Sequence, residues 1–142
     1  MNSIAPEIWG PHFWNVINSI ALSYPDKPNI QDQNNVASFL NSLQKVLPCE
    51  KCRNHFSENL QKYPLTQALN SRDNFINWVI DVHNSVNKTN GKRVLSYQEG
   101  INAMNDNLYQ TPRYDYKYLA MMGMLVSIGV FWIFRKTKKF KK

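Results

Sequence analysis

Cysteine is nearly missing from this sequence: Cys49 and Cys52 are the only two in 142 residues. A secreted domain stapled by disulfides carries several cysteines spread along the chain, so that class is excluded. Structural zinc takes about four ligands, usually from two such pairs. Here only His12, His55 and His83 could complete a set, and there is no second pair. Strand-like alternation is absent as well, which removes the βαβ setting of a thioredoxin-type pair; Phe39 to Leu47, ahead of Pro48, has helical spacing instead. Met1 to Trp9 lacks the basic start and apolar run of a secretory leader, and neither a repeat nor a low-complexity tract occurs.

Acidic residues are also few, ten against seventeen basic ones, but the imbalance is local. Arg135, Lys136, Lys138, Lys139, Lys141 and Lys142 supply six of the basic residues, and all ten acidic residues precede them. Residues 1–134 therefore hold eleven basic against ten acidic side chains. The high net charge marks a terminal tail rather than a basic surface, and no nucleic-acid partner is expected.

The apolar spacing that is present is helical. Val36, Phe39, Leu40, Leu43, Val46 and Leu47 recur at intervals of three and four, as do Phe75, Trp78, Val79, Val82 and Val86. A first helix is expected to start near Gly10-Pro11, to carry Trp14, Ile17, Ala21 and Tyr24 on one side, and to end at Pro25 and Pro28. Another should follow Pro48 to about Leu60, and Ser96-x-x-Glu99 is a capping box opening a short fifth helix to about Asp106. The expectation is an all-α fold: a four-helix bundle with a short fifth helix over residues 5–106.

After a polar linker at 107–117, residues 118–134 (YLAMMGMLVSIGVFWIF) carry no charge. As a helix they would extend roughly 25 Å, the short limit for a bilayer span. Tyr116, Tyr118 and Trp132 stand near the ends, and the basic tail at 135–142 follows at once. A C-terminal transmembrane helix is the expectation, with a buried core helix as the alternative. An anchor made without a leader puts the domain in the cytosol, whereas the basic tail favours the cytosolic side for itself.

Cys49 and Cys52 can close a small disulfide at a helix start, where the helix dipole, Lys51 and Arg53 favour thiolate. So short a loop adds little stability for a purely structural bridge, which favours redox chemistry. His83 and Asn87 share a stripe with Ile76 and Ile80, a quarter-turn from the Phe75/Trp78/Val82 face. Aliphatics, an imidazole and an amide in one stripe suit a flat heteroaromatic ligand. Thiolates react reluctantly with dioxygen, so an oxidase built on this pair needs an electron-carrying cofactor, naturally a flavin.

Three separated motifs then make the chain resemble the Erv/ALR sulfhydryl oxidases over about residues 8–104. They are Gly10-x-x-x-Trp14 continuing to Ala21 and Tyr24-Pro25, Pro48-Cys49-x-x-Cys52-x-x-His55-Phe56, and His83-Asn84-x-Val86-Asn87 followed by Gly91-Lys92. The resemblance is greatest to the minimal forms of large DNA viruses, since no further cysteine exists for a shuttle pair. It implies an FAD-dependent thiol oxidase that forms disulfides in a thiol-containing protein or a disulfide relay partner and reduces O2 to hydrogen peroxide.

By motif position, Cys52 would be the flavin-proximal sulfur and Cys49 the one that exchanges with substrate. Gly10, Trp14, Asn18, His83, Asn84, Val86, Asn87, Lys92 and Tyr97 would contact FAD. Pro11 and Asn18 depart from the Arg and His that many members carry there. A homodimer, and a catalytic domain facing the cytoplasm from a host intracellular or virion membrane, are further expectations of the resemblance. The alternative class is a membrane-anchored helical scaffold or interaction protein without redox activity.

Overall fold

A computed structural model of the chain describes residues 4–109, together with 123–125 and 127. The chain divides into two compact units, residues 1–109 and 110–142. The linker expected to start at 107 starts later, because the helix before it takes in Asn107 and Leu108; residues 110–117 and most of the apolar run expected to span at 118–134 lie outside the described residues, and the basic tail wholly so. Among the described residues no helix is long and apolar enough to cross a membrane.

Within residues 4–109 the regular elements are six helices: α1 (Pro6–Ser23), α2 (Ile30–Val46), α3 (Glu50–Lys62), α4 (Leu65–Ala68), α5 (Arg72–Thr89) and α6 (Tyr97–Leu108). α2 pairs with α3 and α1 with α5; α3 meets α5, and α6 lies against α1 and α5. This is the four-helix arrangement with an added C-terminal helix, plus one short turn of helix, α4, that periodicity did not signal.

Most boundaries follow from local chemistry. Asn29 and Asp32 form a reciprocal capping box at α2, and Ser96 and Glu99 form the expected one at α6. Arg93 and Ser96 together hold the Glu99 carboxyl down to about 2. Tyr24 is extended, as a residue preceding proline should be, and ends α1.

The start of α1 corrects the sequence expectation. The helix begins at Pro6 and runs through Pro11. Pro6 takes the preorganised first-turn position, and Pro11 removes one interior hydrogen bond at a cost of up to about 3 kcal/mol. The added first turn offsets that cost: Trp9 packs edge-on to Phe13 with centroids 5.2 Å apart, and its Nε1 donates to the Ile4 carbonyl at 3.0 Å.

α5 is the central post, with Phe75, Val79 and Val82 fully buried and Ile76, Trp78 and Ile80 nearly so. Both faces of the helix are covered, as its two apolar stripes required. Each such side chain contributes about 1.5–3 kcal/mol by leaving water. The far end of α1 is bolted to this post: Tyr24 lies edge-on to Phe75, its hydroxyl donates to the Leu69 carbonyl at 3.0 Å, and Arg72 donates to the Tyr24 carbonyl while pairing with Asp26.

Candidate functional site

The two cysteines lie where α2 gives way to α3. Leu47 leaves the helical conformation before Pro48, and Cys49 becomes the N-cap of α3 with an extended backbone. Its sulfur accepts the Cys52 backbone N–H at 3.2 Å, and the two residues are joined by a disulfide with Cα atoms 5.1 Å apart. The reactive sulfur thus caps the helix itself. Arg53 does less for thiolate than its charge suggests, because its guanidinium donates to the Leu47 carbonyl at 2.7 Å and braces the corner.

The sulfurs have different surroundings. Cys52 packs against the buried core cluster while itself only half-buried, more exposed than Cys49. Cys49, although only 8% exposed, forms part of the wall of a shallow open depression along α3 with Glu50, Lys51, Asn54, His55 and Glu58. His55 reaches α5, its Nε2 lying 3.4 Å from Thr89 Oγ1.

The second part of the site joins α1, α5 and α6. Trp14 and His83 stack face to face, with centroids 4.1 Å apart and planes within 3°. Burial, then the nearby Lys92 charge, lowers the His83 pKa, so the imidazole in the stack is neutral near pH 7. One turn beyond Trp14, Asn18 is 2% exposed and its Oδ1 has no hydrogen-bond partner. It lines a small cleft of about 30 Å³ with Ile80, His83, Asn84, Leu95, Gly100, Ala103, Met104 and Asn107. A buried acceptor without a donor costs about 1–3 kcal/mol. A ligand N–H or O–H entering a widened cleft would remove that cost. The orphaned amide oxygen beside a flat aromatic pair therefore fits a heteroaromatic cofactor.

The remaining sequence candidates separate into two sets. Asn84 reaches the cleft, but its amide is occupied: it donates to the Leu95 carbonyl at 2.8 Å and accepts the Leu95 N–H at 2.9 Å, clamping the 90–96 loop onto α5. Gly91 at φ 64 ends α5, with Gly91 N–H bonding to the Lys88 carbonyl and Lys92 N–H to the Asn87 carbonyl. Part of the His-Asn-x-Val-Asn…Gly-Lys pattern is thus helix-terminating chemistry. Val86 and Asn87 are half-buried, the Asn87 side chain making no hydrogen bond among the described residues. Lys92 is exposed. Tyr97 is half exposed and bonds Asp81 at 3.1 and 3.2 Å, outside the cleft. Gly10 lies one turn before Trp14, and a side chain there would touch nothing within 4 Å.

Gly100 and Met104 were not anticipated. A Cβ at Gly100 would sit 2.8 Å from Ile80 Cδ1, so glycine is what lets α6 approach α5. A glycine inside a capped helical segment was the available signal, because it costs about 0.5–1 kcal/mol relative to alanine.

The chain matches the Erv1 / Alr family over residues 11–107. It is 40% identical over 116 residues to a probable FAD-linked sulfhydryl oxidase of Acanthamoeba polyphaga mimivirus, covering 81% of each chain. It is 33% identical over 106 residues to an FAD-linked sulfhydryl oxidase of African swine fever virus, covering 75% of this chain and 87% of that one. Among solved structures, the FAD-binding domain of Erv1 from Saccharomyces cerevisiae is similar with a TM-score of 0.67 at 26% identity, over 73% of this chain and 97% of that one.

Proposed function

Because the chain belongs to the Erv1 / Alr family, we propose that Cys49 and Cys52 are the redox pair of an FAD-linked sulfhydryl oxidase that forms disulfide bonds in partner proteins. The observation that carries this reading is a disulfide at the N-cap of α3, between an open depression and the core. FAD, when bound, supplies the two-electron acceptor that a dithiol lacks toward O2, and hydrogen peroxide is the product.

The residues divide the work. A substrate thiolate attacks Cys49 from the depression and the bond to Cys52 breaks, leaving a Cys52 thiolate at the first turn of a helix, whose dipole lowers its energy. A second substrate thiolate resolves the mixed disulfide and releases Cys49. Packing of Cys52 against the core supports it as the sulfur on the cofactor side. Trp14 and His83 would offer the cofactor a flat wall, and Asn18 Oδ1 an acceptor for one of its donors; Asn87, with a free half-buried amide among the described residues, is the next candidate. Asn84 and Gly91 hold the surrounding backbone. The rival reading of a scaffold with incidental cysteines is not favoured, since it leaves the orphaned Asn18 and the family match without a role.

The finer reading concerns placement. The catalytic domain extends past the expected residue 106 to the end of α6 at Leu108, with a linker after it to 117, while the uncharged run 118–134 with its basic tail supports an anchor in a host intracellular or virion membrane. Similarity to viral oxidases supports a cytoplasm-facing domain, which protease protection of the tail in isolated membranes would check. Exposed Ile8 and Val16 on α1 support self-association into a homodimer.

Purified full-length protein should be yellow, and Cys52→Ser should keep the flavin while thiol-driven oxygen uptake falls to background. A folded, colourless protein with no oxygen uptake would overturn the oxidase reading.

A further inference from the structure

The oxidase reading leaves one step without a named group: the proton on the incoming thiol. A cysteine thiol ionises near ~8.5, so only about 3% is thiolate at pH 7. Complete local deprotonation could therefore speed attack on Cys49 by up to roughly thirty-fold.

Among the residues walling the depression beside Cys49, His55 is the one imidazole. Its hydrogen bonding selects a tautomer. Thr89 Oγ1 donates its proton to the Ser85 carbonyl at 3.1 Å, so toward His55 Nε2, at 3.4 Å, it can only accept. Nε2 then carries the hydrogen, and the lone pair is left on Nδ1, which has no partner among the described residues. Glu50, Lys51 and Glu58 are the charged groups sharing the depression, and α5 brings Thr89 to the Nε2 side of the ring.

We infer that His55 is the catalytic base of thiol–disulfide exchange at Cys49, its Nδ1 taking the proton of a substrate thiol bound in the α3 depression, with Thr89 as the residue that fixes the tautomer. The proton moves from sulfur to Nδ1. The resulting thiolate forms a bond to Cys49 Sγ while the Cys49–Cys52 bond breaks, its electron pair leaving on Cys52. A second substrate thiol, losing its proton to water, then attacks the substrate sulfur of the mixed disulfide. Cys49 departs as thiolate and recovers the proton from His55. Two substrate thiols are oxidised to one disulfide, and the enzyme pair is reduced by two electrons. The inference rests on the oxidase reading for its substrate class but concerns only the thiol half of the reaction.

Its test varies the acidity of the thiol. Reduction of the Cys49–Cys52 disulfide in the full chain is timed by acid quench, alkylation and mass measurement, without oxygen turnover. The reductants are an aliphatic monothiol, mostly protonated at pH 7, and 4-mercaptophenylacetate, an aromatic thiol largely ionised there yet still able to reduce a disulfide. His55→Gln, which can still donate to Thr89, should slow the aliphatic thiol about ten-fold and leave the aromatic one within two-fold. Equal slowing of both, or slowing of neither, would overturn the assignment. Should His55→Gln fail to fold, Thr89→Val carries the same comparison with a smaller slowing, about three-fold, confined to the aliphatic thiol. Oxygen uptake by the unaltered protein reports on the oxidase reading separately.

Discussion

The disulfide corner and the Asn18 cleft are built by opposite means. At the corner, most of what positions Cys49 comes from within seven residues: Pro48 ends the extended link, the Cys52 amide finds the Cys49 sulfur, and Arg53 reaches back to Leu47, the one distant tie being the Ile4 N–H on the Pro48 carbonyl at 3.2 Å. The cleft takes its walls from α1, α5, the 90–96 loop and α6, segments far apart in sequence. A local device keeps its geometry as long as its own turn survives. One assembled over long range holds only while the whole core does, and it carries an unpaired acceptor besides.

If this contrast is right, damage should be separable. Cys52→Ser, the largest effect on turnover, should abolish oxygen uptake yet leave flavin absorbance intact, because no wall of the cleft is touched; loss of both would merge the two regions into one. Gly100→Val should do the reverse. Its side chain would meet Ile80, costing about 1–3 kcal/mol as α6 is forced off α5. Flavin should be lost while the isolated disulfide still reacts with thiols, as melting curves and thiol titration would report.

Asn18→Leu sharpens the point, because it should move stability and affinity in opposite directions. Removing an unpaired buried amide should raise the flavin-free protein's stability by about 1 kcal/mol while weakening flavin retention. Chemical denaturation of the flavin-free protein and equilibrium dialysis with FAD separate the two. The smallest effect is that of pH. The folded His83 pKa lies below its ordinary 6.5, so the unfolded chain binds the proton first as pH falls. The stability contributed by the neutral ring is complete above about pH 6.5 and should decline below it, a slope that His83→Gln would flatten.

The same contrast explains what could be read from the chain alone. Capping by Ser96 and Glu99, the stop at Pro25 and the two apolar faces of α5 are short-range signals, and all stand in the sequence. So does the cysteine pair at a helix start. The start of α1 was misplaced by four or five residues, because whether a helix passes through Pro11 depends on what Trp9 and Phe13 pack against. Gly100 was missed for the same reason, its partner Ile80 being twenty residues away. Asn84 was identified as important, but its clamp on Leu95 could not be told from a ligand contact without the loop's path. Motif positions mark where selection has acted. They do not say whether it acted on a helix end or on a cofactor.

The hydrogen bond from the Cys52 amide to the Cys49 sulfur has one more implication. Sulfur accepts that hydrogen bond as a disulfide, as a mixed disulfide or, more strongly, as a thiolate. The first turn of α3 therefore need not rewind when electrons arrive or depart. Bonds change hands at an anchored hinge pin, and only the substrate has to travel.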